Sequence, residues 1–334
     1  MTRPTALVLL DGPVSDATEV RSSVLELVTI ARSLGRVDVV TLEAPSLEVL
    51  AVLGAHGVEG VHQAQLPSSL PADARHLTSV VAAVLVAAVR RTDADVLLAP
   101  SGFSAKEAAA VAAARLGAGL VTDAAAVSWD AEPGGALRAT KRVFAGSWDV
   151  TSTVATDPAV VTVRANAVVA ETAATPTHPE VEALPIDVEA PAVTVVAREP
   201  KPRTTGRPTL EEAAVVVAGG RGTNGDFGPV EDLADALGAA VGATRDAVFE
   251  GWFDRYVGQT GVTVAPRVYI GAGISGAPHH RGGMQASQVV VAVNNDPEAP
   301  IFEISDFAVV GDLADVLPQA AEAIRAHRAR GAQQ

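Results

Sequence analysis

The chain has 334 residues, 48% of them apolar and 4% aromatic, enough for two globular domains with aliphatic cores and inconsistent with overall disorder. A net charge of −14 opposes attraction to phosphate backbones and anionic lipid, so nucleic acid is not an expected partner. Cysteine is absent, which excludes disulfides, thiolate metal sites and a cysteine nucleophile and suits a reducing cytoplasm, the expected location.

The run before Asp11 in "ALVLLDG" is too short for a signal-peptide core and reads as a first buried strand. Short aliphatic runs then alternate with helical patterns: "VRSSVLELVTIARSLG", "VDVVTLE", "SLEVLAVLGAHG", "ADVLLAP" and "FSAKEAAAVAAARLG". Continuous aliphatic strands separated by helices imply a doubly wound α/β domain with a parallel sheet covered on both faces. Leu77–Val89 falls short of the roughly 20 apolar residues that span a bilayer and is flanked by Arg75, Arg90 and Arg91, so a core helix is expected rather than membrane insertion. Ser101 and Ser104 are candidate caps for the helix that follows them.

From Ala136 the runs "ALRATKRVFAG", "SWDVTSTVAT" and "AVVTVRANAVV" suggest antiparallel hairpins completing a first domain, residues 1–170. Residues 171–208 carry prolines at 176, 179, 185, 191, 200, 202 and 208 and read as a connector enclosing one strand, "AVTVVARE". The boundary is expected near Gly206, with a second domain over 209–334.

In this second domain three strand ends run into glycine-rich turns, "VVVAGGRG", "RVYIGAGISG" and "FAVVGD". Ligands in open parallel sheets sit at the carboxyl ends of strands, so these turns are expected to converge on one cleft. "GAGISG", Gly271 to Gly276, fits a dinucleotide fingerprint with Asp296 beyond it, but it comes late in the chain and in a short domain. "AGGRGTNGDFG" lacks the lysine of a Walker loop, which disfavours ATP hydrolysis. His279 and His280 are adjacent, and no zinc-like spacing accompanies them, so no metal site is expected. No catalytic triad or carboxylate pair assembles.

The ordered set "GGRG", "DLADALGAAVGATR", "VGQTG", "APRVYIGAGISGA" and "VVAVNNDPEAPIFEISDFAVVGDL" resembles the alpha (large) subunit of electron-transfer flavoproteins over residues 212–325. The resemblance implies a flavodoxin/Rossmann-like second domain that binds FAD. It also implies a beta (small) subunit partner, donor dehydrogenases, an acceptor oxidoreductase and no catalytic residues of the chain's own. Residue by residue, it implies Arg221 at the pyrophosphate, Thr244 and Arg245 with the guanidinium over the flavin ring, and Thr260 as hydroxyl donor near N5. Val257, Gly258 and Gln259 form the adjoining wall in the same comparison. Ser275, Gly276 and Ala277 match the phosphate-binding segment and His280 the N1/C2=O edge, with Pro278 and His279 between them. Asn294, Asp312 and Leu313 match positions serving the adenosine half. The chain departs from the family's usual residues at Thr244, Val262, Pro278, His279, Arg281 and Asn295, several of them beside the ring. The alternative on the residues alone is an NAD- or flavin-dependent oxidoreductase with its own small-molecule substrate, resting on "GAGISG".

Overall fold

The computed structural model describes residues 4–130, 135–144, 148–188, 191–199 and 206–331. The chain divides into a first compact unit of Met1–Val143 and Asp149–Pro200 and a second built on Lys201–Gln334.

The first unit strings together β1 (Thr5–Leu9), α1 (Ser22–Leu34), β2 (Arg36–Thr41), α2 (Leu47–Ala55), β3 (Gly60–Gln65), α3 (Thr78–Thr92), β4 (Val96–Pro100) and α4 (Phe103–Leu116). It continues with β5 (Gly119–Ala124), β6 (Ala126–Trp129), β7 (Leu137–Val143), β8 (Trp148–Val154), β9 (Ala159–Val163) and β10 (Glu180–Pro185). Seven strands form one parallel sheet in the order β10-β3-β2-β1-β4-β9-β5. Its strands are aliphatic throughout because both faces are covered: Ala6 and Val8 enter one buried cluster, Leu7 and Leu9 the other. Full burial of each such leucine stabilises by about 1.5–3 kcal/mol.

Three expectations fail here. "AVVTV" is β9, a central parallel strand between β4 and β5, whereas among the described residues antiparallel pairing is found where β6 meets β7, in a small sheet that also holds β8. The helix α4 is capped by Gly102 without a side-chain hydrogen bond, and the Ser101 hydroxyl instead donates to Thr162 Oγ1 at 3.0 Å. The run "AVTVVARE" forms no strand among its described residues, while Glu180–Pro185, inside the proline-rich stretch, pairs with β3 over six residues. Strand pairing there needs only that no proline sit at a donating position, and Pro185 ends the strand.

The second unit holds β11 (Val215–Gly219), α5 (Gly228–Leu237), β12 (Ala240–Ala243), α6 (Arg245–Phe249), β13 (Val268–Ala272), α7 (Pro278–Met284), β14 (Val289–Asn294), β15 (Phe307–Val310) and α8 (Leu313–Gly331). Its sheet is parallel in the order β12-β11-β13-β14-β15, the flavodoxin-like arrangement. The winding reverses between β11 and β13, which opens a crevice beyond their carboxyl ends. Helix α5 carries Pro229 in its first turn and stops at Gly238 in the left-handed region, φ 66°, the two commonest helix boundary signals. Among the described residues no helix is long and apolar enough to cross a membrane.

Candidate functional site

At the switch point the loops after β11 and β13 are zipped by backbone. Gly220 N–H donates to Ala272 O at 3.0 Å, and Gly222 N–H donates to Gly273 O at 3.0 Å. Glycine is required at this seam: a Cβ on Gly220 would strike the Gly273 carbonyl, and one on Gly273, φ +61°, would lie 2.7 Å from Gly222 Cα. The result is a bare main-chain floor to a cleft of about 450 Å³, within the range of cofactor pockets.

The loop after β13 turns its carbonyls away from that cleft. Ser275 O accepts from Ile301 N–H at 3.0 Å, and Gly276 O accepts from Arg281 Nε at 2.6 Å. Arg281 also donates to Pro300 O at 2.8 Å, so this side chain braces the loop against the Pro300–Ile304 turn. Among the described residues the amides of Ser275, Gly276 and Ala277 have no protein acceptor. Three free N–H groups beside Ser275 and Ala277, both lining the cleft, suit an anion. Arg221 stands at the same end, ion-paired with Asp246 at 3.4 Å with both side chains mostly in solvent.

The opposite wall is the Tyr256–Val262 loop. Gln259 N–H donates to His279 O at 2.8 Å, and a Cβ on Gly283 would strike Gly258, so this loop lies directly on α7. Val257 is 1% exposed and faces the cleft, while the Tyr256 and Thr260 hydroxyls lie 3.0 Å apart. Thr244 caps α6 by accepting from Ala247 N–H at 3.4 Å, which leaves its hydroxyl proton free to donate. The Arg245 guanidinium sits 5.9 Å from the Phe249 ring centroid at the cleft's lip, with no carboxylate partner among the described residues.

His280 is the buried polar group of the site. It is 7% exposed, its Nε2 lies 2.8 Å from the Tyr269 hydroxyl, and its Nδ1 is enclosed by protein. Burial pushes its imidazole down to about 4, which the Val257 backbone offsets only in part. The ring is therefore neutral at pH 7.

Of the residues singled out from the sequence, the cleft gathers Arg221, Thr244, Arg245, the 257–260 loop, Ser275, Ala277, His279, His280 and Asn294. Asn294 is braced at both ends, donating to Ile274 O at 2.8 Å and accepting from Asp296 N–H at 3.0 Å, so it shapes the loop. Gly276, φ +87°, packs against Ile301, and Pro278 starts α7; neither lines the cleft. Asp312 accepts from Ala314 N–H at 2.9 Å as a cap of α8, and Leu313 is a core residue 7% exposed. Leu313 stands behind the floor, against Gly273. Sequence reasoning missed Asp246, Tyr256 and Tyr269. The signal was compositional: the chain has two tyrosines, and both belong to this site.

Comparison with known proteins agrees with this geometry. Residues 209–285 match the family model described as electron transfer flavoprotein FAD-binding domain, and residues 14–189 match the electron transfer flavoprotein domain. The chain is 42% identical over 310 residues to the electron transfer flavoprotein subunit alpha of Mycobacterium leprae, covering 91% of this chain and 93% of that one. It is 43% identical over 311 residues to its namesake in Mycobacterium tuberculosis strain H37Rv, with the same coverage of 91% and 93%. It is also 38% identical over 244 residues to Protein FixB of Azotobacter vinelandii, covering 71% of this chain and 68% of that protein.

Proposed function

Because the chain belongs to the electron transfer flavoprotein alpha-subunit family, we propose that FAD lies in the cleft between the β11 and β13 loops, held by the residues gathered there. The chain is an FAD-binding electron-transfer subunit. One observation carries the placement: the glycine seam and the free amides of Ser275 and Ala277 meet on a single cleft. A ligand with an anionic linker fits that set, and nothing in it resembles an acid–base or nucleophile pair.

Bound there, FAD supplies the electron transfer between proteins, and the chain supplies binding and electrostatics. The Ser275, Gly276 and Ala277 amides and Arg221 would meet the pyrophosphate. Arg245 would place a permanent positive charge over the ring, favouring added electrons. Thr244 and Thr260 would offer hydroxyl protons, and Val257 with Gly258 would exclude water from one face. Asn294 and Asp312 would act by holding the backbone around the adenosine half. We place the FAD-binding domain at 209–334.

The heterodimeric partner is a small subunit, the donors are dehydrogenases and the acceptor is a further redox protein. A cysteine-free chain supports a cytoplasmic location. The test is to co-purify the chain with its small subunit and record the visible spectrum. A bound oxidised flavin, reduced only when a donor dehydrogenase and its substrate are present, is expected. Reduction by NADH or a small molecule alone would favour an oxidoreductase with its own substrate, and colourless protein would remove the FAD placement.

A further inference from the structure

The stretch from β13 through α7 to β14 is a βαβ unit: β13 and β14 are adjacent and parallel, with Ala272 opposite Val293. The glycines of "GAGISG" fall at the turn between β13 and α7, where Gly273 and Gly276 take left-handed φ of +61° and +87°. In a dinucleotide-binding unit of this design the turn meets the pyrophosphate, and an acidic side chain after the second strand accepts from a ribose hydroxyl. Asp296, just past the end of β14 at Asn294, has that place, and it lines the cleft together with Asn295, Ala299 and Pro300. Its carbonyl accepts from Ala299 N–H at 3.1 Å, and Ile301 N–H donates to Ser275 O at 3.0 Å. The acid and the free amides of the Ser275 loop therefore share one end of the cleft.

We propose that Asp296 reads the adenosine half of the cofactor by accepting a hydrogen bond from a hydroxyl of its ribose. The inference rests on the reading that the FAD pyrophosphate meets the Ser275 and Ala277 amides. The carboxylate is held in place yet half unused. Its Oδ1 accepts from Glu298 N–H at 3.0 Å, and the Asp296 N–H donates to Asn294 Oδ1 at 3.0 Å. Its Oδ2 has no partner among the described residues, and the side chain is exposed on the cleft rather than sealed beneath it. A carboxylate beside a pyrophosphate repels it, so the part of the ligand that sits against Asp296 must be one that donates. A ribose presents hydroxyls, which do so. The other candidates for the adenosine half are engaged elsewhere: Asn294 is committed at both ends, and Asp312 caps α8 without lining the cleft.

The experiment strips FAD from the complex of the chain with its small subunit and titrates it, by flavin fluorescence, with FAD and three analogues. Two lack the 2′- or the 3′-hydroxyl of the adenosine ribose, and one carries hypoxanthine in place of adenine. The wild-type complex should bind at least one deoxy analogue about tenfold more weakly than FAD, the loss of one hydrogen bond to a charged acceptor. In Asp296→Ala that preference should vanish. A role confined to holding the 294–299 loop would weaken FAD and the deoxy analogues equally, and a preference that survives in Asp296→Ala overturns the proposal. Equal wild-type affinity for FAD and both deoxy analogues overturns it as well, and this arm needs no variant to fold. Discrimination against the hypoxanthine analogue alone puts the adenine amino group at the carboxylate and overturns the ribose assignment. Failure of the wild-type complex to bind any of these flavins is a separate result, which removes the FAD placement and the ribose assignment with it.

Discussion

The two units share an architecture and differ at the same place in it. Each is a parallel sheet whose winding reverses once, between β1 and β4 in the first and between β11 and β13 in the second. In the first unit side chains at that point are paired within the protein: Arg21 pairs with Asp11 at 3.0 Å in the loop after β1, and Ser101, after β4, bonds Thr162 of β9. In the second the equivalent loops are joined by glycine backbone and leave the Ser275 and Ala277 amides without an acceptor among the described residues. A doubly wound sheet therefore supplies a place for a ligand, and the loop residues decide whether that place is filled from within.

The strongest way to break this contrast is to make the second seam behave like an ordinary turn. Gly273→Ala puts a Cβ 2.7 Å from Gly222 Cα at φ +61°, where backbone rather than a flexible side chain must yield. A destabilisation of about 2–4 kcal/mol is expected, with loss of most bound FAD. Gly117→Ala, at φ +69° in the first unit with open space around it, should cost about 1 kcal/mol and leave FAD content unchanged. Denaturant titration and flavin absorbance of the two purified variants check both arms; equal FAD loss would show that the seam has no special role.

Acid sharpens the comparison next. His280 titrates near 6.5 in the unfolded chain and near 4 in the fold, so the neutral ring stabilises fully above pH 6.5. As pH falls toward 4 the unfolded state takes up a proton that the fold refuses, and about 3 kcal/mol is lost from the FAD-free second unit. In the first unit burial works to raise Asp38, but hydrogen bonds from His62 and Arg36 overcome it and hold the carboxyl below its ordinary 3.8. That contribution persists until lower pH. Hydrogen exchange at pH 5 should therefore open β13 and β14 before β1 and β4, and His280→Gln should narrow the gap. Earlier opening of the first unit would contradict this order.

The smallest expected effect concerns the exposed Arg221–Asp246 pair. Asp246→Ala frees the guanidinium for an anionic ligand, and FAD affinity should rise by about 0.2–1 kcal/mol, with a steeper dependence on salt. Isothermal titration at two ionic strengths measures it. Weaker binding would assign Asp246 a direct contact instead.

Much of this was legible in the sequence wherever one segment carried its own meaning. Aliphatic runs named the strands of both sheets, and the glycine turns after β11 and β13 named the cleft. What failed depended on partners distant in the chain. "AVVTV" says strand but not direction, and β9 is parallel because β4 and β5 flank it. β10 is hidden among prolines, since its pairing with β3 is made 120 residues away, as Glu180 opposite Gly60 shows. Ser101 has the chemistry of a cap but spends its hydroxyl on Thr162, 61 positions on. Tyr269 and His280 are only 11 residues apart, yet their meeting depends on how α7 returns across β13. Asp312 and Leu313 were placed by motif alone, and the fold uses them to cap and pack α8.

The glycine seam also bears on how such a protein can diverge. A cradle made of main chain is indifferent to which side chains surround it, so long as Gly220, Gly222 and Gly273 remain. The positions around the opposite wall, Thr244, Asp246, Tyr256 and His279 among them, are then open to drift. Lineages can retune the electron affinity of their carrier, and with it the choice of redox company, without renegotiating possession of the cofactor.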